Sequence, residues 1–268
     1  MAKSTWDPKL AQIYRRMLPP GPPSESELAV YEKFVKALKN KKGAKVLILG
    51  STPGLRSLCL KHRVPYVSVD YHRENFAIMR QIIKYKDTGE VMVGNWCQMK
   101  LPEKYDLVMG DISFGMVPFS ALDKILVRVA GSLKKDAVVV HRTWMRQKGH
   151  FKDFEKFLHD VHPKLKKQVP PFTSLALPFV MFFYDQKRER ILFAQNLPKL
   201  KNFVRRGLLP KNDYQQVELF WSRYKMPNYY PLKEKYEKKI KKYFRIRQVL
   251  YGKDWFRQYA PIYILKKK

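Results

Sequence analysis

A chain of 268 residues, 45% of them hydrophobic and 14% aromatic, has the material for one large domain or a domain with a sizeable appendage, which excludes a disordered polypeptide. No apolar run reaches the roughly 20 residues of a membrane helix, and two cysteines, Cys59 and Cys97, exclude a disulfide framework and lack metal-ligand spacing. The formal net charge is +31, with +11 on residues 1–145 and +20 on residues 146–268, a field that attracts polyanions unless it reflects a lysine-rich proteome.

In chain order, Pro19-Pro20-Gly21-Pro22-Pro23 cannot be helical and reads as a stiff extended linker. Ser24 with Glu27 forms a capping-box pattern, and Leu28, Tyr31, Val35 and Leu38 then recur at helical spacing. Residues 1–42 therefore form a leading segment and helix. Short apolar strands follow at 45–49, 66–69, 91–93, 106–109 and 137–140. Between them lie helices marked by Leu55, Leu58 and Cys59, by Phe76, Met79 and Ile83, and by the stripe Leu122, Ile125, Leu126, Val129 and Leu133. Strands without polar alternation, separated by helices, predict a parallel sheet covered on both faces: a Rossmann-like, doubly wound α/β fold over residues 43–145.

Residues 146–268 change character. Phe151, Phe154, Leu158 and Val161 predict a helix. The apolar residues 179–184 and 190–193 flank Asp185-Gln186-Lys187-Arg188-Glu189 and predict a β-hairpin. Helices are expected near 198–206, 213–223 and 232–251, a basic insertion at about 194–252 before a last strand at 262–265 that pairs with 179–184. The segment is read as substrate recognition that completes the sheet. Its cations are interleaved with aromatics, as in Arg223-Tyr224-Lys225, Asn228-Tyr229-Tyr230 and Lys242-Tyr243-Phe244-Arg245. Such a pattern suits either core packing or stacking on single-stranded nucleic acid.

The chemistry concentrates at the strand tips. The loop Gly50-Ser51-Thr52-Pro53-Gly54 lies between a strand and a helix, where a ligand meets the helix N-terminus and small residues allow close approach. Asp70 ends the second strand, in position to accept hydrogen bonds from ribose hydroxyls. Gly94-Asn95-Trp96 follows the third strand, and Leu101-Pro102 then Tyr105-Asp106-Leu107-Val108 lead through the fourth.

This ordered series resembles the class I S-adenosylmethionine (SAM) methyltransferases over roughly residues 43–145. The resemblance implies SAM as cofactor, with Gly50, Ser51, Thr52, Pro53 and Gly54 beside its methionine part. It implies Asp70 at the ribose, Asn95 and Trp96 at the adenine, Asp111 facing the sulfonium and acceptor, and Tyr71 and Ile112 as further cofactor-binding residues. Three positions depart from the family pattern: Ile48 stands where many members carry an acid, Thr52 replaces the middle glycine, and Asn95 replaces the adenine-side acid. Asp111-Ile112-Ser113-Phe114 lacks the two prolines of the amino-methylating nucleic-acid branch, and strand five has no lysine of the ribose-methylating kind. His141, ending strand five, is the general-base candidate beside Asp111, and Arg142 and Arg146 are candidates to meet an anionic substrate.

The expectation is a cytoplasmic, metal-free SAM-dependent methyltransferase of an anionic acceptor, RNA more than DNA, with no membrane partner. A small-molecule or protein methyltransferase stands as the alternative, as does a non-catalytic nucleotide- or RNA-binding protein on the same fold.

Overall fold

The computed structural model of the chain describes residues 14–101, 104–148, 153–222, 224 and 226–268. Of the residues read above, Pro102, Phe151, Arg223 and Lys225 lie outside these. The first helix, α1 (Glu25–Lys36), begins at the expected capping box: Ser24 Oγ accepts the Glu27 N–H at 3.2 Å and Glu27 Oε2 accepts the Ser24 N–H at 2.8 Å. The alternation that follows is β1 (Val46–Leu49), α2 (Pro53–His62), β2 (Tyr66–Asp70), α3 (Arg73–Arg80), β3 (Glu90–Val93), β4 (Tyr105–Asp111), α4 (Leu122–Gly131) and β5 (Leu133–Arg142).

The seven-stranded sheet has the order β3-β2-β1-β4-β5-β7-β6. The first five strands run parallel; β7 (Ile262–Lys267) is antiparallel to β5 and to β6 (Phe244–Leu250). Successive strand residues point to opposite faces. Leu47, Leu49, Val108 and Val139 pack beneath α4, while Val46, Ile48, Met109 and Val140 pack against α1 and α2. Cys59 is buried in the second of these layers, where burial pushes its thiol pKa up. The order of strands reverses between β1 and β4. That switch point opens a crevice beyond the carboxyl ends of the strands, the usual place for a ligand in such sheets.

Four expectations are corrected. Residues 179–184 are not a strand: 179–183 belong to a largely buried, mostly apolar helix, α5 (Pro171–Phe183), and Tyr184 follows it as the C-cap. A short apolar run has no periodicity to separate strand from helix, and here a surrounding helical cluster buries most of it, with Phe182 exposed. The hairpin is a tight turn in which Asp185 and Arg190 exchange backbone hydrogen bonds before α6 (Phe193–Arg205) and α7 (Lys211–Trp221). The helix expected at 232–251 is α8 (Lys233–Ile240) followed by β6, so the antiparallel partner of the last strand is β6. Pro19–Pro23 is no extended linker; the Gly21 N–H closes a turn on the Leu18 carbonyl at 3.1 Å.

The helix expected from Phe154 is present as Phe154–Lys156, a π-turn at Phe157–Val161 and His162–Leu165. Together with α5, α6 and α7 it forms a separate aromatic-rich core at the carboxyl end of β5. Among the described residues no helix is long and apolar enough to cross a membrane.

Candidate active site

Gly50 continues the β1 ladder by donating its N–H to the Val69 carbonyl at 2.7 Å, then turns at φ +104°, a conformation that favours glycine. A side chain there would meet nothing closer than Thr52 Oγ1 at 3.7 Å, so the space above the loop is open. Asp70, one strand over, faces this loop. Its Oδ2 accepts the Ser51 N–H at 3.0 Å and its Oδ1 accepts Asn75 Nδ2 at 2.6 Å. The carboxylate is thereby fixed against the cavity wall with lone pairs to spare.

After β3, Asn95 Oδ1 accepts the Cys97 N–H at 2.9 Å and Trp96 Nε1 donates to the Val69 carbonyl at 3.0 Å, which holds the indole across the tip of β2. At the end of β4, Ile112 has φ +56°. A β-branched residue in the left-handed region is strained by about 1–3 kcal/mol, and such strain clusters at ligand sites. Its N–H is held by the Arg142 carbonyl at 2.9 Å.

These tips line one cavity of about 510 Å³, within the range of small-ligand and cofactor sites. Gly50, Ser51, Thr52, Pro53, Asp70, Tyr71, Asn95, Trp96, Asp111 and Ile112 all border it. Two expected residues do not. Gly54 sits beneath α1, where an added Cβ would stand 3.1 Å from Leu28, so its small size serves helix packing.

His141 is 0% exposed and off the cavity. It stacks on Phe114 at 3.9 Å, and its Nε2 accepts the Phe114 N–H at 3.2 Å beside Ser113 Oγ at 3.1 Å. Burial, aided by the Arg142 charge, pushes its pKa down to about 3. A neutral, enclosed imidazole with these partners is a structural group.

The two arginines expected to meet substrate are spent internally. Arg142, also 0% exposed, donates to Asp111 Oδ1 and Glu27 Oε2, both at 2.6 Å, and to the carbonyls of Pro20 at 3.0 Å and Gly21 at 2.9 Å. Burial raises the Asp111 carboxyl pKa while the guanidinium opposes the rise. Arg146 donates to the Tyr230 carbonyl at 2.7 Å and to Gln186 Oε1 at 2.6 Å, with its guanidinium 3.9 Å over the Tyr184 ring.

Sequence reasoning missed two walls. Tyr14, Met17 and Gly21 close the cavity from the N-terminal side, tied down by Arg142. Met116, Trp144, Phe193, Trp221, Tyr224 and Tyr230 also line the cavity. The aromatics of 224–230 were visible in sequence, but only the fold turns them toward the strand tips. No Lys or Arg borders the cavity among the described residues.

No family model matches the chain, and no curated protein is similar to it in sequence. Solved structures are similar to it in fold. A SAM-dependent methyltransferase from Clostridium acetobutylicum superimposes with TM-score 0.54 over 97% of this chain and 98% of its own, at 12% identity. A protein from Pyrococcus horikoshii gives TM-score 0.53 at 17% identity over 96% and 99% of the two chains. A Rhodobacter sphaeroides protein whose name is that of a zinc-dependent alcohol dehydrogenase gives 0.60 at 13% identity over the whole of both. These names differ in chemistry, so at such identity the likeness carries the fold. Among the described residues no group of three or more His, Cys, Asp and Glu converges as a metal-ligand set. The seven-stranded sheet with its antiparallel β7 and the strand-tip cavity give this chain the Rossmann-like fold of the class I SAM-dependent methyltransferases.

Proposed function

We propose that the chain is a SAM-dependent methyltransferase. The observation that carries the reading is one cavity at the switch point of the sheet that joins the open Gly50 loop, the fixed Asp70 carboxylate, Trp96 and Asp111. The lining suits a cationic nucleoside: two carboxylates border it, and no Lys or Arg opposes them among the described residues. When bound, SAM supplies a methyl on a sulfonium, which passes to an acceptor lone pair as the C–S electrons return to sulfur and the acceptor loses a proton.

In this reading Asp70 accepts from the ribose hydroxyls, and the loop 50–53 lies against the methionine part through its backbone. That backbone stands in for the acid that Ile48 does not provide, since Ile48 is a buried β1 residue facing α1 and α2. Asn95 and Trp96 flank the adenine. Asp111, anchored by Arg142, marks the transfer point, and the N-terminal wall of Tyr14 and Met17 keeps water out.

An RNA acceptor, and with it a basic RNA-binding surface and a cytoplasmic setting, draws support from the +31 charge alone. The cavity favours a small uncharged acceptor instead, because no Lys or Arg borders it among the described residues. Titration calorimetry with S-adenosylhomocysteine tests the proposal. The wild type binds, and Asp70→Asn weakens binding about tenfold or more through the lost ribose contacts while circular dichroism stays unchanged. No heat at millimolar ligand defeats the methyltransferase reading and leaves a non-catalytic scaffold.

A further inference from the structure

The cavity has two chemically distinct ends. The polar end consists of backbone, Asp70, Asn95 and Asp111 at the strand tips. The opposite end is built by residues that follow the sheet strands or belong to the helical segment: Met116, Trp144, Phe193, Trp221, Tyr224 and Tyr230. Phe193 and Trp221 rings lie 4.5 Å apart, Phe193 and Tyr224 5.5 Å, and Trp144 and Tyr230 5.3 Å. Phe193, Trp221 and Tyr224 form one ring group and Trp144 and Tyr230 a second, and Asn228 joins the two into an aromatic wall.

The polar atoms of that wall largely satisfy one another. Tyr230 Oη donates to Asn228 Oδ1 at 2.7 Å, and Asn228 Nδ2 donates to Tyr224 Oη at 3.1 Å. The Tyr224 hydroxyl proton goes to a thioether, Met116 Sδ, at 3.4 Å. Sulfur is a weak acceptor, so a ligand oxygen or nitrogen takes this donor at small cost. The phenol remains a donor across ordinary pH, since burial pushes its pKa up to about 12. The indole N–H of Trp144 has no acceptor among the described residues and is itself fully buried.

We infer that this end is the acceptor subsite of the proposed methyltransferase, and that it takes an uncharged planar aromatic molecule bearing a hydroxyl or ring nitrogen. A planar ring lies against that aromatic wall, and its heteroatom meets the Tyr224 hydroxyl. A phosphate or carboxylate on the acceptor would enter a space with no Lys or Arg on its described walls and with the Asp70 and Asp111 carboxylates on its border. Removing an anion from water without a partner is costly, so such acceptors are rejected.

The inference rests on the methyltransferase reading for the word acceptor, but its binding test stands alone. The probes are 1-naphthol and 1-naphthyl phosphate, compared by calorimetry on the full chain, with and without S-adenosylhomocysteine. The expected result is naphthol binding at least about tenfold tighter than the phosphate, equivalent to about 1.4 kcal/mol. Trp221→Ala lowers naphthol affinity about tenfold and leaves S-adenosylhomocysteine affinity within about twofold. Should that variant fail to fold, Tyr224→Phe keeps the ring and lowers naphthol affinity severalfold.

Equal or tighter binding of the phosphate overturns the inference, as does naphthol affinity untouched by the substitution that folds. Displacement of naphthol by a single-stranded oligouridine also overturns it, in favour of an extruded nucleobase. Failure of S-adenosylhomocysteine to bind sinks the methyltransferase reading instead, and the naphthol pair still decides what the aromatic end accepts.

Discussion

Arg142 is the residue on which the site's architecture turns. One guanidinium holds Asp111 at the strand tip, Glu27 on α1 and the Pro20 and Gly21 carbonyls of the N-terminal wall. Replacing it with Met leaves two buried carboxylates without their cation, so Arg142→Met costs about 3–5 kcal/mol of stability in urea unfolding. In a variant that still folds, the wall loses its anchor, and proteolysis near residue 21 accelerates.

His141 makes a separate prediction. Its folded pKa of about 3 lies below the unfolded value of 6.5, so the unfolded chain binds a proton that the folded chain refuses. The stability tied to the neutral ring is present above pH 6.5 and is lost as pH falls toward 3, by up to about 1.4 kcal/mol per pH unit. His162, also lowered by burial, acts in the same direction. The urea midpoint of the wild type therefore drops between pH 7 and pH 5, and His141→Asn makes that drop shallower without removing it.

At the scale of elements, α1 shows how a local signal becomes a tertiary one. The capping box readable as Ser24 and Glu27 forms as expected, but the same serine also donates to Asp254 Oδ2 at 2.5 Å, and Glu27 also meets Arg142. Ser24→Ala therefore costs more than a simple cap. About 2 kcal/mol is expected, and Asp254→Ala in the Ser24→Ala background adds less than it does alone; a double-mutant cycle in urea measures both.

Most of the parallel strands were legible because buried β-strands between amphipathic helices leave a strong pattern, as in the all-buried β1, while the edge strand β3 is mostly exposed and was legible only as a short apolar run. Helix α5 was not, because its thirteen residues carry no polar face and Pro178 within them argues locally against a helix. Strand β6 was hidden inside the helix expected at 232–251: the helix ends at Ile240, and the strand begins four residues later at Phe244 with its own alternation.

At the scale of the whole molecule, net charge and cavity charge have opposite sense. The surface carries the excess of Lys and Arg, while the cavity is bordered by carboxylates and aromatics. The chain is expected to bind single-stranded RNA and DNA alike, with affinity falling about tenfold or more between roughly 50 and 200 mM salt. S-adenosylhomocysteine is not expected to compete. Fluorescence anisotropy with labelled oligonucleotides across salt, with and without the nucleoside, measures both effects. Sequence-selective binding that the nucleoside displaces would return nucleic acid to the cavity.

The sequence by itself determined what depends on near neighbours: the strand-helix alternation, the capping box, the glycine turn and Asp70 at the end of β2. These follow from periodicity and backbone chemistry within a few residues. Only the tertiary structure decided which cations are free and which are spent, because Arg142 meets partners more than 100 positions away in Glu27 and Pro20. It also decided that the aromatics of 193–230 close over the strand tips. Long-range packing sets those pairings, and burial then fixes the charge, acidity and shape of what the cavity can hold.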